Sequence, residues 1–363
     1  MSLGLYIHVP FCGQKCPYCD FYSVSYDNRT SYAYFDAVAR NLAHYNERYD
    51  TVYFGGGTPS EAWWDICRVM VGLRFSGDAE ITVEANPNAV SRESLLSLRS
   101  SGINRLSVGV QSFSNNELKL LGRAHTSEDA SSAVRLAHEC GFGNISVDLM
   151  LGTPGQTPDS VRRSIKVLSG LNVNHVSAYM LKVEANTPFA CAGHRLPDEN
   201  ETAHIYLAAI DALEHAGFTQ YEISNFAKPG YECRHNLKYW KSHEYLGIGT
   251  AAHSYYNGDR FFVRNDVREF TRSIVQKVVF TEKKAKPDFM SYAMLKLRLV
   301  EGLSFAECER FGLGKDEILK RCHLVPPSYL NVTNHGVSIT KEGFLVSNRI
   351  IGKLTEEITE QAI

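Results

Sequence analysis

Between residues 3 and 216 the chain repeats one arrangement six times: a short apolar run, then a longer stretch whose apolar positions recur at helical spacing. The runs 3–9, 51–54, 80–84, 103–110, 144–150 and 175–181 read as strands. The stretches 30–46, 62–73, 91–101, 127–140, 158–169 and 199–216 read as helices. Strict βα alternation of this kind predicts a parallel sheet with right-handed crossovers. A doubly wound sheet would gather its functional residues at one switch point, whereas a barrel collects them at the C-terminal end of every strand. Here chemistry-bearing residues follow strand after strand. The expected fold is therefore α/β, a partial (β/α)6 barrel over residues 1–217.

Beyond residue 217 the pattern loosens. Residues 218–258 are rich in aromatics, His and Gly, and the segment 218–286 is expected to connect onto the barrel and complete the core. After Lys283-Lys284-Ala285-Lys286-Pro287 the composition changes again. Residues 287–363 are expected to form a smaller α+β domain of winged-helix-like order, with a β-ribbon near 336–347 and a last helix. The 38 Lys and Arg nearly balance 40 Asp and Glu, and no long basic run occurs, which argues against nucleic acid as a partner. No run of about 18 apolar residues is present, so no membrane span is expected. The first residues read as a strand rather than a signal peptide, and a cytoplasmic protein is expected.

Of the nine cysteines, six are scattered, and their expected role is packing. Three stand together in Phe11-Cys12-Gly13-Gln14-Lys15-Cys16-Pro17-Tyr18-Cys19-Asp20-Phe21. The spacing C-x3-C-x2-C directly follows a strand. Three thiolates on one tight loop can hold three irons of a cubane [4Fe–4S] cluster and leave the fourth iron open to a chelating ligand. Structural zinc prefers four ligands, and the nearest fourth candidate, His8, sits in strand register.

The strand ends carry further candidates. Gly55-Gly56-Gly57-Thr58-Pro59 follows the second strand, and glycine there permits close backbone approach. Glu84 ends the third strand. Gln111 ends the fourth, with Arg123 beyond it, and both could reach a carboxylate or an adenine edge. Arg123 could equally serve a structural ion pair, and His125 reads as structural. Asp148 is acidic inside an apolar strand, so it needs a partner such as a ribose or adenine donor.

The triplet, with an aromatic beside its third Cys, resembles the C-x3-C-x-aromatic-C motif of the radical SAM superfamily. That resemblance implies a [4Fe–4S] cluster on Cys12, Cys16 and Cys19, with S-adenosylmethionine (SAM) chelating the open iron. It implies SAM contacts at Tyr6, Tyr18, Gly56, Gly57, Thr58, Glu84, Gln111, Arg123 and Asp148. The later motifs Tyr221-Glu222-Ile223-Ser224-Asn225-Phe226-Ala227, Tyr245-Leu246-Gly247-Ile248-Gly249 and Ala252-His253-Ser254 extend the likeness to the branch of oxygen-independent coproporphyrinogen III oxidase, called HemN-like. Two features depart from the oxidase. Phe21 stands where the oxidase has a fourth Cys, and with the first strand read from Leu3 the oxidase's N-terminal extension is not expected. His235-Asn236-Leu237-Lys238-Tyr239-Trp240 instead matches the HNxxYW motif of the haem chaperones of that branch. This resemblance implies haem contacts at His235, Tyr239 and Trp240, with Cys233 as a second candidate ligand, and haem-requiring acceptor proteins as partners. Imidazole ligates haem iron, and aromatic faces suit a porphyrin. The plain reading of the same residues is a packed loop with a satisfied histidine. Porphyrinogen oxidation and methylation of haem are the enzymatic alternatives.

Overall fold

The computed structural model describes residues 3–285 and 288–356. The expected boundary at residue 287 lies outside the described residues. Six strands form in sequence order: β1 (Leu3–Val9), β2 (Tyr49–Gly56), β3 (Phe75–Ala85), β4 (Arg105–Gln111), β5 (Asn144–Leu151) and β6 (His175–Met180). Each pairs in parallel with the next. The crossovers carry α1 (Asn28–Tyr45), α2 (Trp63–Met70), α3 (Arg92–Ser100), α4 (Ser127–Glu139) and α5 (Pro158–Ser169), and α6 (Glu199–His215) follows β6. Helix starts follow their local chemistry: Asp27, Ser91, Thr126, Thr157 and Asp198 each accept a hydrogen bond from the N3 backbone N–H.

The sheet does not stop at residue 217. A short antiparallel strand, β7 (Asn225–Ala227), pairs with β6. Then β8 (Tyr245–Ile248) returns to the opposite end and pairs in parallel with β1. From there β9 (His253–Tyr256), β10 (Asp259–Val263) and β11 (Val278–Glu282) run antiparallel to one another. One twelve-stranded sheet thus spans both of the segments expected as 1–217 and 218–286. Among the described residues no pairing joins its two edges.

Alternation gives the sheet two unlike faces. Leu5, Ile7, Val52, Phe54, Ile81, Val83, Leu106 and Ile145 are all buried on the face covered by helices. The opposite face is polar and enclosed. Register places Tyr6, Tyr53, Thr82 and Arg105 in one row, and Glu84, Ser107, Ser146 and His175 in the next. This is an open barrel with a polar interior.

After residue 287, α8 (Phe289–Lys296) and shorter helices precede a three-stranded antiparallel sheet of Leu303–Ser304, Leu330–Val332 and Gly336–Ile339. The ribbon lies earlier than the sequence suggests. Residues Lys341–Phe344 form a helical turn capped by Thr340, whose side chain accepts from Gly343.

Candidate functional site: a thiol loop over a polar barrel

The cysteine loop leaves β1 and is pinned at its base by the glycine turn after β2. Gly57 N donates to Val9 O at 2.8 Å, and Thr58 N to Phe11 O at 2.6 Å. A Cβ at Gly57 would stand 2.5 Å from Phe11 O, so only glycine allows this approach. Gly56 has φ +118°, a conformation that likewise favours glycine. On the far side, Gly122 holds φ +68° where a Cβ would press within 2.7 Å of Pro17. The loop is thus clamped from two strand ends.

The three thiols are partly exposed and free of disulfides. Cys12 Sγ lies 3.3 Å from Thr58 Oγ1, and Arg123 Nη1 donates to Cys16 Sγ at 3.2 Å. Burial pushes the Cys12 and Cys19 thiols up from their ordinary values. Iron would take them as thiolates and release their protons. Among the described residues no three metal-ligating side chains close at single-ion distance. A cubane asks for a different arrangement, one thiolate per iron around a loop, which this loop offers.

Below the loop sit the strand-end residues. Glu84 accepts from Tyr53 Oη at 2.8 Å and from Gly56 N at 3.1 Å. Burial, reinforced by nearby Asp148, raises its carboxyl to about 7. Burial also raises Asp148, which accepts from Ser107 Oγ at 3.1 Å. A carboxyl near 7, as at Glu84, can exchange its proton for a ribose hydroxyl or an ammonium group near neutral pH. His8 Nε2 lies 3.0 Å from Tyr22 O, which makes it the donor, so Nδ1 accepts from Tyr6 Oη at 3.0 Å. His8 is thereby occupied, and burial lowers it to about 4. Gln111 adopts φ +68°, left-handed backbone at a strand end. The missing Cβ of Gly109 leaves room for it: a methyl there would stand 3.0 Å from Gln111 Nε2. Arg123 Nη2 donates to Gly109 O at 2.8 Å, while its buried Nε has no partner. The orphaned Nε and the two raised carboxyls suit a zwitterionic ligand with ribose hydroxyls. Tyr18 lies against Arg123, with Nη1 at 3.5 Å from its hydroxyl.

The HNLKYW residues lie elsewhere. Residues Arg234–Trp240 form the seven-residue helix α7 under the N-terminal ends of β2 and β3. Glu80 receives the backbone N–H of Arg234 at 3.1 Å and of His235 at 3.0 Å. His235 is fully buried, with Nδ1 2.9 Å from Thr51 Oγ1 and Nε2 2.7 Å from Tyr239 Oη. It stacks on Tyr53 at 5.2 Å, and burial lowers it to about 3. Both ring nitrogens are engaged, so in this conformation neither is open to an iron. Tyr239 packs edge-on against Tyr245 at 4.5 Å. Cys233, also fully buried, points at Glu80. Trp240 alone of the motif's aromatic side chains borders an open cavity.

Some interior residues were not singled out by sequence reasoning. Arg105 is fully buried, and its Nε has no partner. His175 bridges Ser146 Oγ and Tyr221 Oη at 2.8 Å each. The available signal was the polar residue at every second position of β3 to β6.

A parallel open barrel with three thiols at its mouth defines the radical SAM class. A model of the radical SAM superfamily matches residues 6–168. The Heme chaperone HemW of Bacillus subtilis is 33% identical over 97% of this chain and 99% of its own length. That of Escherichia coli is 40% identical over 69% of each chain. The solved coproporphyrinogen III oxidase HemN of Escherichia coli aligns with TM-score 0.78 at 22% identity, covering 97% of this chain and 90% of that one, which shows the shared fold. The chain belongs to the haem chaperone HemW family of the radical SAM superfamily. Membership of that superfamily implies a [4Fe–4S] cluster and SAM. No helix among the described residues is long and apolar enough to cross a membrane.

Proposed function

We propose that the protein is a cytoplasmic haem chaperone that holds haem and passes it to haem-requiring proteins, with a SAM-binding [4Fe–4S] cluster in the same chain. The observation that carries this reading is 33% identity to a HemW chaperone over 97% of this chain. Cys12, Cys16 and Cys19 hold three irons. Gly56, Gly57 and Thr58 present backbone to the methionyl end of SAM. Glu84 and Asp148 take its ammonium and ribose groups, and Gln111 and Arg123 its carboxylate or adenine edge. Tyr6 and Tyr18 wall the sulfonium region. When bound, the cluster and SAM supply one-electron reductive chemistry at the sulfonium. His235, Tyr239 and Trp240 belong to the haem-handling half, and direct ligation by His235 would require α7 to leave the barrel floor. Phe21 is 69% exposed at the edge of the thiol loop and offers no fourth thiolate.

Anaerobic reconstitution with iron, sulfide and haem tests the reading, with iron and haem quantified in wild type and in Cys16→Ala. Haem retained by both proteins and non-haem iron retained only by wild type is expected. Absence of haem uptake, or conversion of coproporphyrinogen to protoporphyrinogen in the presence of SAM and a reductant, would overturn it.

A further inference from the structure

A cavity of about 510 Å³ opens between the antiparallel edge of the large sheet and the C-terminal helices. Small-molecule sites run from roughly 300 to 1,000 Å³. Its walls are unlike the barrel interior. Trp240, Tyr255, Tyr292 and Phe311 line it, and Tyr292 and Phe311 lie 5.1 Å apart at 31°, forming one continuous aromatic wall. Lys241, Arg260, Lys296 and Arg310 bring four cations to its rim, and Glu282, Asp288 and Glu307 bring three carboxylates. Lys296 pairs with Glu301 at 3.2 Å and with Glu307 at 3.7 Å, and Arg260 with Glu282 at 3.7 Å. Arg310 reaches no carboxylate at ion-pair distance among the described residues, and Lys241 only one, at 3.9 Å. His243 completes the lining. It follows the helix that ends in Trp240, and its backbone N–H donates to Lys238 O at 2.8 Å. Its imidazole has no hydrogen-bond partner among the described residues, in contrast to the doubly engaged ring of His235.

We propose that this cavity is the haem-holding site, with His243 as the axial ligand, Trp240 and the Tyr292–Phe311 wall against the macrocycle, and Arg310 and Lys241 on its carboxylates. The proposal deepens the chaperone reading and rests on it. It assigns the motif's role to placement: His235 locks α7 onto the barrel floor, and the locked helix holds Trp240 and His243 at the cavity. Partial desolvation and the neighbouring Lys238, Lys241 and Lys296 lower His243 from its ordinary value. A flat apolar ring with two carboxylates matches aromatic faces rimmed by cations.

Titration of the full-length protein with ferric haem, read by the Soret band and by spin state, tests the assignment. His243→Gly is expected to weaken haem binding about tenfold or more and to lose the imidazole-ligated spectrum. Added imidazole is expected to restore that spectrum. Arg310→Glu is expected to weaken binding while keeping the wild-type spectrum. Because His243 is exposed, circular dichroism should show both variants folded. Wild-type-like affinity and spectrum in His243→Gly, with haem still bound, would overturn this site and leave the chaperone reading standing. Failure of wild type to bind haem would overturn both.

Discussion

The mouth and the floor of the barrel are built from similar residues to opposite ends. At the mouth, polar groups are left short of partners: Arg123 Nε is orphaned, burial raises two carboxyls, and three thiols stand half-open. At the floor, His235 has both nitrogens bonded, Glu80 receives two backbone N–H groups, and Lys238 pairs with Asp50 at 2.8 Å, although Arg105 Nε and Thr82 Oγ1 stay unpaired there. Unpaired buried groups cost stability, so a folded chain keeps them where a ligand will complete them. The mouth is therefore read as waiting for ligands, and the floor as structure. Tyr53 joins the two, stacked on Tyr6 and His235 with its hydroxyl on Glu84.

The comparison can be broken most directly at the thiols. Cys16→Ala should abolish cluster assembly, read as loss of bound iron and of broad visible absorbance. It should change urea stability by less than about 1 kcal/mol, since the side chain is partly exposed. At the floor the ranking inverts. His235→Ala should cost about 3–5 kcal/mol in urea unfolding, because it opens a cavity and strands Thr51 and Tyr239 hydroxyls. Cluster iron per folded chain should stay at the wild-type level.

Acidification sharpens the contrast more gently. Burial holds His235 at about 3, so below pH 6.5 the unfolded chain takes the proton first and stability falls as pH drops. Glu84 acts the other way. Its carboxyl keeps its proton to about 7 in the fold, while the unfolded chain loses it near 4.5, so stability rises as pH falls through that window. Glu84→Gln removes the opposing contribution. Its urea stability should fall more steeply than that of wild type between pH 6.5 and 5, by roughly 1–2 kcal/mol. A parallel slope would show that Glu84 is not protonated at the mouth. The smallest effect belongs to Phe21→Cys. At 69% exposure the change should cost under about 0.5 kcal/mol, with iron and sulfide per chain unchanged after reconstitution. A gain in bound iron would reveal a fourth thiolate in reach.

Much of the barrel was legible in the sequence. The strand at Leu3–Val9 and the helix at Pro158–Ser169 have the expected bounds, and the remaining βα elements shift by a few residues at their ends. Strand β3 begins at Phe75, five residues before the apolar run, because Ser76, Gly77 and Asp78 carry no apolar signal. The three thiols and the glycine turn were visible as spacing alone. Such patterns are local: period, cap and turn chemistry act over a few residues, and a short loop carries its ligands with it.

Tertiary structure decided the rest. Nothing in residues 218–286 announced that Tyr245–Ile248 would return to β1 as a seventh parallel strand, because that pairing joins positions some 240 residues apart. Nor did HNLKYW show which way its histidine would face. A His between Arg and Asn suits a haem pocket or a packed floor equally well, and the choice falls to Thr51, Tyr53 and Glu80, all more than 150 residues away. By itself the sequence determined the order of elements and the chemistry of the thiol loop. Only the closed packing decided that His235 became part of the floor while His243, eight residues on, was left with an open ring.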